Sequence, residues 1–417
     1  MRIKRGFSRC GAWALALFIC LPLLAQPQLV AVKAKKIYTA TGGIVENGVI
    51  LIQDGKILNV GSGLEIPWNA TTIDHGKKVV IPGLVEAHAA RGYDAANETN
   101  PLTPFVTVRD SIDTSHDDFK TALKSGVTAI HIMPGNATIL GGLGSVLKTV
   151  GLVVEDMLLI PDSGMKISVV GTPSQTRMGV MAQLRRYFNE TKDYMEKPDA
   201  AAGERMVSTP GSFRSSERVK YEAVADLFRG RYRAFVYCES PSDLRRACDL
   251  GKKYGYDSVF ILGPECYKAA DFIAANKLKV ILDPELVYFE RDPLTEETKR
   301  IDIARVFHEK GVVFALQSNP LEIHSRSLLY QAMQAMAGSL NAEEALQAVT
   351  IEPARLLGAD EIVGSLEKGK LAHFAVLDDE PFKVSTKVEF VYIDGKPVYE
   401  RDKDEELKKL MEGKLIK

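Results

Sequence analysis

Cysteine is scarce in this chain of 417 residues: there are five, and two of them, Cys10 and Cys20, fall within the first 25 positions. The other three, Cys238, Cys248 and Cys266, are too few for a disulfide framework, and a chain this long can build a core without one. Charge of either sign is not in surplus, with 53 Lys+Arg against 54 Asp+Glu. That balance removes the basic footprint a nucleic-acid-binding protein needs, so no nucleic-acid partner is expected. With 46% hydrophobic and 26% charged residues, the composition also excludes a disordered chain and a multi-span membrane protein.

One apolar run does stand out. Arg2, Lys4, Arg5 and Arg9 precede a stretch from Ala12 to Ala25 that is too short to cross a bilayer, the pattern of a signal peptide cut near Ala25. The expectation is an exported, periplasmic protein with a net charge of about −5 and no membrane attachment after cleavage. Lipidation at Cys20 wants a small residue before the cysteine, and Ile19 is large.

From Leu29 to Val80 the chain reads as short β segments with turn chemistry between them, and Asn47-Gly48 and Asp54-Gly55 are hairpin signals. The same style returns near the other end, in GSLEKGKLAHFAVLD and VEFVYIDGKPVYERD, with Asp394-Gly395 as a turn. Between them, apolar strand-like runs alternate with amphipathic helical patterns. The strands expected are VVIPGLVEA, VTAIHIM, a run around Val153 to Ile160, KISVV, AFVYC, SVFIL, KVILD and VVFALQS. The helical stretches include DDFKTALKSG, TRMGVMAQLRRYFNETKDYM and TKRIDIARVFHEKG. The alternation predicts an α/β protein, a (β/α)8 TIM-like barrel over 81–360, with a composite β-sandwich made from 29–80 and 361–400. Residues 401–417 form a charged C-terminal helix, Pro198–Ser216 a surface loop, and the glycines of GNATILGGLG turns at a lip over the mouth.

The phrases NGVILIQDGKILNVG, VVIPGLVEAH and SLNAEEALQAVTIEPARLLGADEIVGSLEKGK, in this order, resemble the amidohydrolase superfamily and within it the imidazolonepropionase-like branch. The resemblance implies a divalent metal at the C-terminal mouth of the barrel that activates water to cleave an amide or related C–N bond. It also implies a ligand set: His-x-His on the first barrel strand, histidines ending the fifth and sixth, an aspartate after the eighth and, in some members, a carboxylated lysine on the fourth.

Carried onto this chain, those positions are His88, Ala90, Cys238, Leu262 and Asn319, and only the first keeps its ligand. Alanine and leucine have no donor atom, and an asparagine cannot serve as the base that moves the proton of water. Lys166 stands near the fourth strand and His131 on the second, and period-two counting does not decide whether either faces the mouth. The resulting expectation is a hydrolase fold without its metal centre or any other cofactor. Such a protein binds a small molecule, forms a homodimer, or pairs with an active relative. The alternative is an enzyme with an altered site around His88 and Cys238, using either zinc or another divalent metal, or a thiol nucleophile.

Overall fold

The computed structural model describes residues 29–172, 175–196, 213–319 and 327–412. The leader, with Ala25 and Cys20, lies outside the described residues, as does most of the stretch from Pro198; its last four residues open the helix Phe213–Phe228.

Strands β1 (Leu29–Tyr38), β2 (Ile44–Gln53) and β3 (Lys56–Ser62) form an antiparallel meander. Asp54 and Gly55 make the β2–β3 turn with φ of 50° and 79°, the left-handed pair that a two-residue hairpin demands. Asn47-Gly48 is not a turn: both residues lie inside β2, where Asn47, at φ 47°, interrupts the ladder to β1. Strands β4 (Thr71–Asp74) and β5 (Val79–Pro82) then join β1 in parallel.

The barrel begins at β6 (Leu84–Ala89) and continues through β7 (Val127–Ile132), β8 (Leu140–Lys148), β9 (Leu158–Ser168), β10 (Arg233–Cys238), β11 (Ser258–Leu262) and β12 (Lys279–Ile281). After a hairpin of β13 (Val287–Arg291) and β14 (Thr298–Asp302), it ends at β15 (Phe314–Ala315). The spatial order is β15-β12-β11-β10-β9-β8-β7-β6, with helices outside, a TIM-like α/β barrel carrying a β-sandwich.

Two elements differ from the sequence reading. The third barrel strand is β8, which runs antiparallel to both neighbours, whereas Val154–Met157 is a short helix leading into β9. Its glycines hid it: Gly142 holds φ +89°, and a Cβ on Gly144 would collide with Met133 Sδ, so the residues that looked like a lip are a strand pressed against its neighbours. The stretch TKRIDIARVFHEKG is also split, its first five residues forming β14 and only Ile303–Glu309 helix.

No ladder joins β15 to β6 among the described residues. Backbone beyond the barrel bridges them instead, with Leu316 N–H donating to Ala348 O at 2.9 Å and Val85 N–H to Val349 O at 2.9 Å. The buried Glu86 completes the seam by accepting the N–H of Ser318 at 3.0 Å and the Ser318 hydroxyl, with Arg91 at 3.5 Å.

The chain returns to the first sheet as β16 (Phe374–Leu377), β17 (Val388–Ile393) and β18 (Lys396–Glu400). Strand β16 seats antiparallel on β5, so the two ends of the chain share one sheet, and Phe374 stacks on Tyr392 with ring centroids 4.4 Å apart. The charged segment that follows contains the helix Glu405–Met411.

Barrel and sheet are pinned at Asp394. Its carboxylate accepts from His373 Nε2 at 2.9 Å and from Lys148 Nζ of β8 at 2.9 Å. The His373 hydrogen bond, aided by Lys148, holds the Asp394 carboxyl down to about 2. A carboxylate shifted downward adds stability above its unfolded value, and that stability is lost as pH falls toward the folded value. Asp394→Asn keeps a residue that tolerates the left-handed turn and removes the charge. The expected loss in urea unfolding at pH 7 is about 1–3 kcal/mol, shrinking to nothing near pH 2; an unchanged midpoint at pH 7 refutes the pin.

Candidate functional site

Alternation along the strands decides which side chains reach the barrel axis. Val85, Ala87, Ala129, Phe235, Val259, Ile261, Ile281 and Ala315 fill its floor, together with Ala354 and Leu357 of the helix Ile351–Leu357 at the N-terminal end. On β9, Met165 and Ile167 pack toward the helices, so Lys166 and Ser168 face the axis. The C-terminal ends of the strands thus carry a polar layer over an apolar floor, the place where barrels of this class keep their sites.

The layer is organised by one run of hydrogen bonds. Gln317 donates from Nε2 to Leu282 O at 2.8 Å, which turns its Oε1 toward His88 Nδ1 at 3.0 Å. Nδ1 must therefore carry the proton, and the lone pair of the ring sits on Nε2. That lone pair faces Lys166 Nζ at 3.0 Å, and the same nitrogen donates to Asn136 Oδ1 at 2.6 Å. Lys166 is fully buried, and burial pulls its pKa down to about 7. Burial, reinforced by Lys166, pushes His88 well below the ordinary imidazole range, so the ring is neutral. Asp283, just past β12, is raised to about 6 by burial.

His131 also points inward, but its valences are filled: Nδ1 lies 3.0 Å from Ala87 O, Nε2 lies 2.8 Å from Ser163 Oγ, and Phe235 packs against the ring. The other described histidines are structural. His75 meets Tyr392, His116 caps the helix Asp117–Lys124, His308 meets Ser339, and His373 serves Asp394; His324 lies outside the described residues.

Of the five ligand positions read from the sequence, the structure puts His88 in the mouth, with Ala90 just past β6. Cys238 is turned away: it shares a face with Ala234 and Val236 in the apolar layer under the helices, and the axis-facing neighbour is Tyr237. Leu262 shares that outer layer, and Ile261 faces inward in its place. From the end of β15 Gln317 meets His88, two residues before Asn319, the position read from the sequence. Two assignments were thus displaced by one residue at strand ends, where one step reverses the facing of every side chain, and the third by two residues just past β15. Stepping by two from Lys166 would have found Ser168; Asn136 comes from a loop and had no periodic signal.

These residues do not fit the divalent metal that the fold family implies. Of the five usual ligand positions, His88 alone is retained among the described residues, and its lone pair is engaged by Lys166, while the amide of Gln317 replaces a carboxylate. Ala90 and Ile261 offer no donor, and among the described residues no three His, Cys, Asp or Glu side chains converge as a metal group. A thiol site fares no better. The Cys238 thiol contacts Val236 O and accepts no help from His88, and burial drives it well above the ordinary thiol range.

A barrel of this topology, with its composite sandwich and a polar layer at the strand ends, is an amidohydrolase-like fold. A model of the amidohydrolase family matches residues 330–399. Imidazolonepropionase from Thermoplasma volcanium is 27% identical over 405 residues, covering 86% of this chain and 92% of that protein. Amidohydrolase tasK from Hapsidospora irregularis is 22% identical over 84% of this chain, which spans only 39% of that longer protein. The crystal structure of an amidohydrolase from Thermotoga maritima MSB8 superposes with a TM-score of 0.79 at 29% identity, over 89% of this chain and all of that one. These matches support a relationship to the amidohydrolase superfamily, on its imidazolonepropionase-like side.

The lowered pKa of Lys166 has a measurable sign. Between about pH 7 and its unfolded value of 10.5 the unfolded chain binds the extra proton, so this lysine's contribution to stability rises with pH across that window. Replacing it by methionine should remove the slope: the stability of wild type minus that of Lys166→Met should climb from pH 7 to pH 10. A flat difference would mean that the lysine titrates normally.

Proposed function

We propose that the chain is an exported protein that uses the amidohydrolase fold without metal-dependent hydrolysis, and that its barrel mouth holds a small molecule. The observation that carries the reading is Lys166 Nζ seated 3.0 Å from the one imidazole nitrogen that a metal would need. A buried lysine there repels a divalent cation when protonated, and competes for the same lone pair when neutral. The neutral amide of Gln317 supports the reading from the other side, since it neither balances a cation nor relays a proton from water. What remains at the strand ends is a buried polar layer over an apolar floor, and its hydrogen-bonding groups support a small-ligand role. Association with a second copy or with an active relative is compatible with this role and rests on the loss of the metal centre alone. Export rests on the N-terminal pattern alone; among the described residues no helix is long and apolar enough to cross a membrane.

Elemental analysis tests the reading. Protein incubated with zinc and desalted should retain less than about one tenth of an equivalent, and Ala90→His, Tyr237→His and Gln317→Asp together with Lys166→Ala should raise retention severalfold. Stoichiometric zinc in the wild type would overturn the proposal. Thiol titration tests the alternative: with burial raising Cys248 to about 11 and Cys266 to about 12, and Cys238 likewise raised, the three thiols should react at pH 8 only after denaturation. Rapid reaction of Cys238 in the folded protein would restore the thiol reading.

A further inference from the structure

Gly142 of β8 makes room for a segment outside the barrel mouth. Residues 101–106, in the connection between β6 and the helix Asp117–Lys124, lie along β8. Leu140 N–H donates to Pro101 O at 2.9 Å, Thr103 N–H to Leu140 O at 2.8 Å, and Leu143 N–H to Val106 O at 2.9 Å. A Cβ on Gly142 would stand 2.4 Å from Val106 O, so the segment seats there only because that position has no side chain. The backbone so fixed holds Leu102 and Phe105 opposite the helices Arg177–Met195 and Phe213–Phe228.

Between this segment and the two helices is a cleft of about 390 Å³, within the range of about 300–1,000 Å³ that small-molecule sites occupy. His88, Lys166 and Gln317 do not line it. Its apolar wall is Leu102, Tyr187 and Phe105, and Phe105 remains 48% exposed beside charged groups. The Tyr187 ring is fixed, because its hydroxyl donates to Lys220 O.

The charged wall is unequal. Among the described residues that line the cleft, Glu190 is the one acid, and its oxygens are already engaged: Oε1 accepts from Arg186 Nε at 2.9 Å and Oε2 from the Tyr221 hydroxyl at 2.8 Å. Against that single negative charge stand Arg186 and Lys220, an excess of one positive charge. Among the described residues the Nη groups of Arg186 have no partner. Lys220 Nζ uses one N–H on the Tyr221 hydroxyl at 2.7 Å, reaches Glu190 only at 3.5 Å, and lies 5.7 Å from the centre of the Tyr187 ring. A fork of free N–H groups and an ammonium at the edge of an apolar wall suit a planar anion attached to an apolar body.

We propose that the cleft is a binding site separate from the barrel mouth, and that it takes a small carboxylate with an aromatic or branched apolar body. The carboxylate meets Arg186 and Lys220, and the body lies against Phe105, Leu102 and the Tyr187 ring. This site needs neither a metal nor the mouth, and so stands beyond the ligand-holding role of the barrel and independent of it. Both cations have exposed side chains, so salt screens their attraction for the anion.

Ligand-observed NMR titration of the purified protein with 2-naphthylacetate tests this, with 2-naphthylacetamide and acetate as comparisons. The expected result is saturable binding of 2-naphthylacetate, weaker by at least about fivefold for the amide, which lacks the charge, and for acetate, which lacks the body. The same loss should follow Phe105→Ser, and Arg186→Gln combined with Lys220→Met, with circular dichroism confirming that each variant is folded. Binding should also weaken as NaCl rises from about 0.05 to about 0.5 M. Absence of saturable binding overturns the inference, as does equal affinity for the amide or for acetate. Undiminished binding in the folded variants places the molecule elsewhere and overturns it too. A wild-type dimer that Phe105→Ser converts to monomer in sedimentation analysis means that a second copy covers the cleft, and is equally fatal. None of these results alters the zinc retention that decides the mouth.

Discussion

The contact between Lys166 Nζ and His88 Nε2 sets the chemistry of the whole mouth. It is available only because Gln317, itself anchored on Leu282 O, holds the proton on the other ring nitrogen. A carboxylate at Gln317 would have favoured charge on the imidazole, and an ammonium next to that charge would not survive burial. Amide, neutral ring and low-pKa amine therefore form a mutually consistent set, and each restricts what the next can be. The apolar floor beneath, from Phe235 to Leu357, reinforces the set by keeping the local dielectric low.

Much of this architecture was legible in the sequence, because hydrophobic periodicity and turn residues report directly on local structure. The runs SVFIL and AFVYC became β11 and β10, and the two hairpin-rich ends of the chain became one sheet. The reversed strand β8 was hidden, since LGGLGSVLK reads as a turn until one sees that close neighbours leave no room for side chains. Hairpin β13–β14 was hidden for a different reason: TKRID has helix-compatible residues, and only its pairing with VYFER makes it a strand.

The site was less legible than the fold, and the cause is geometric. A motif places a residue to within a position or two, whereas facing in a strand alternates at every position, so the difference between Cys238 and Tyr237 is the difference between a core thiol and a mouth residue. Gln317 against Asn319 is a different problem, since the strand before them is only two residues long and gives no register to count from. His88 and Lys166 could each be singled out by chemistry. That they touch follows from barrel closure through Glu86, Ser318 and the Ala348–Val349 backbone, which no local pattern records.

The composite sheet has a consequence for when the protein can fold. Strand β5 is buried along its whole length, yet its outer edge is covered only by β16, almost three hundred residues later in the chain. Until that partner is synthesised, Val79–Pro82 presents an unpaired apolar edge, and the Asp394 pin has no carboxylate. Completion is thus deferred until β16 has been made, and a partly made chain is held open by its own topology. The molecule behaves as a clasp that its last strands shut.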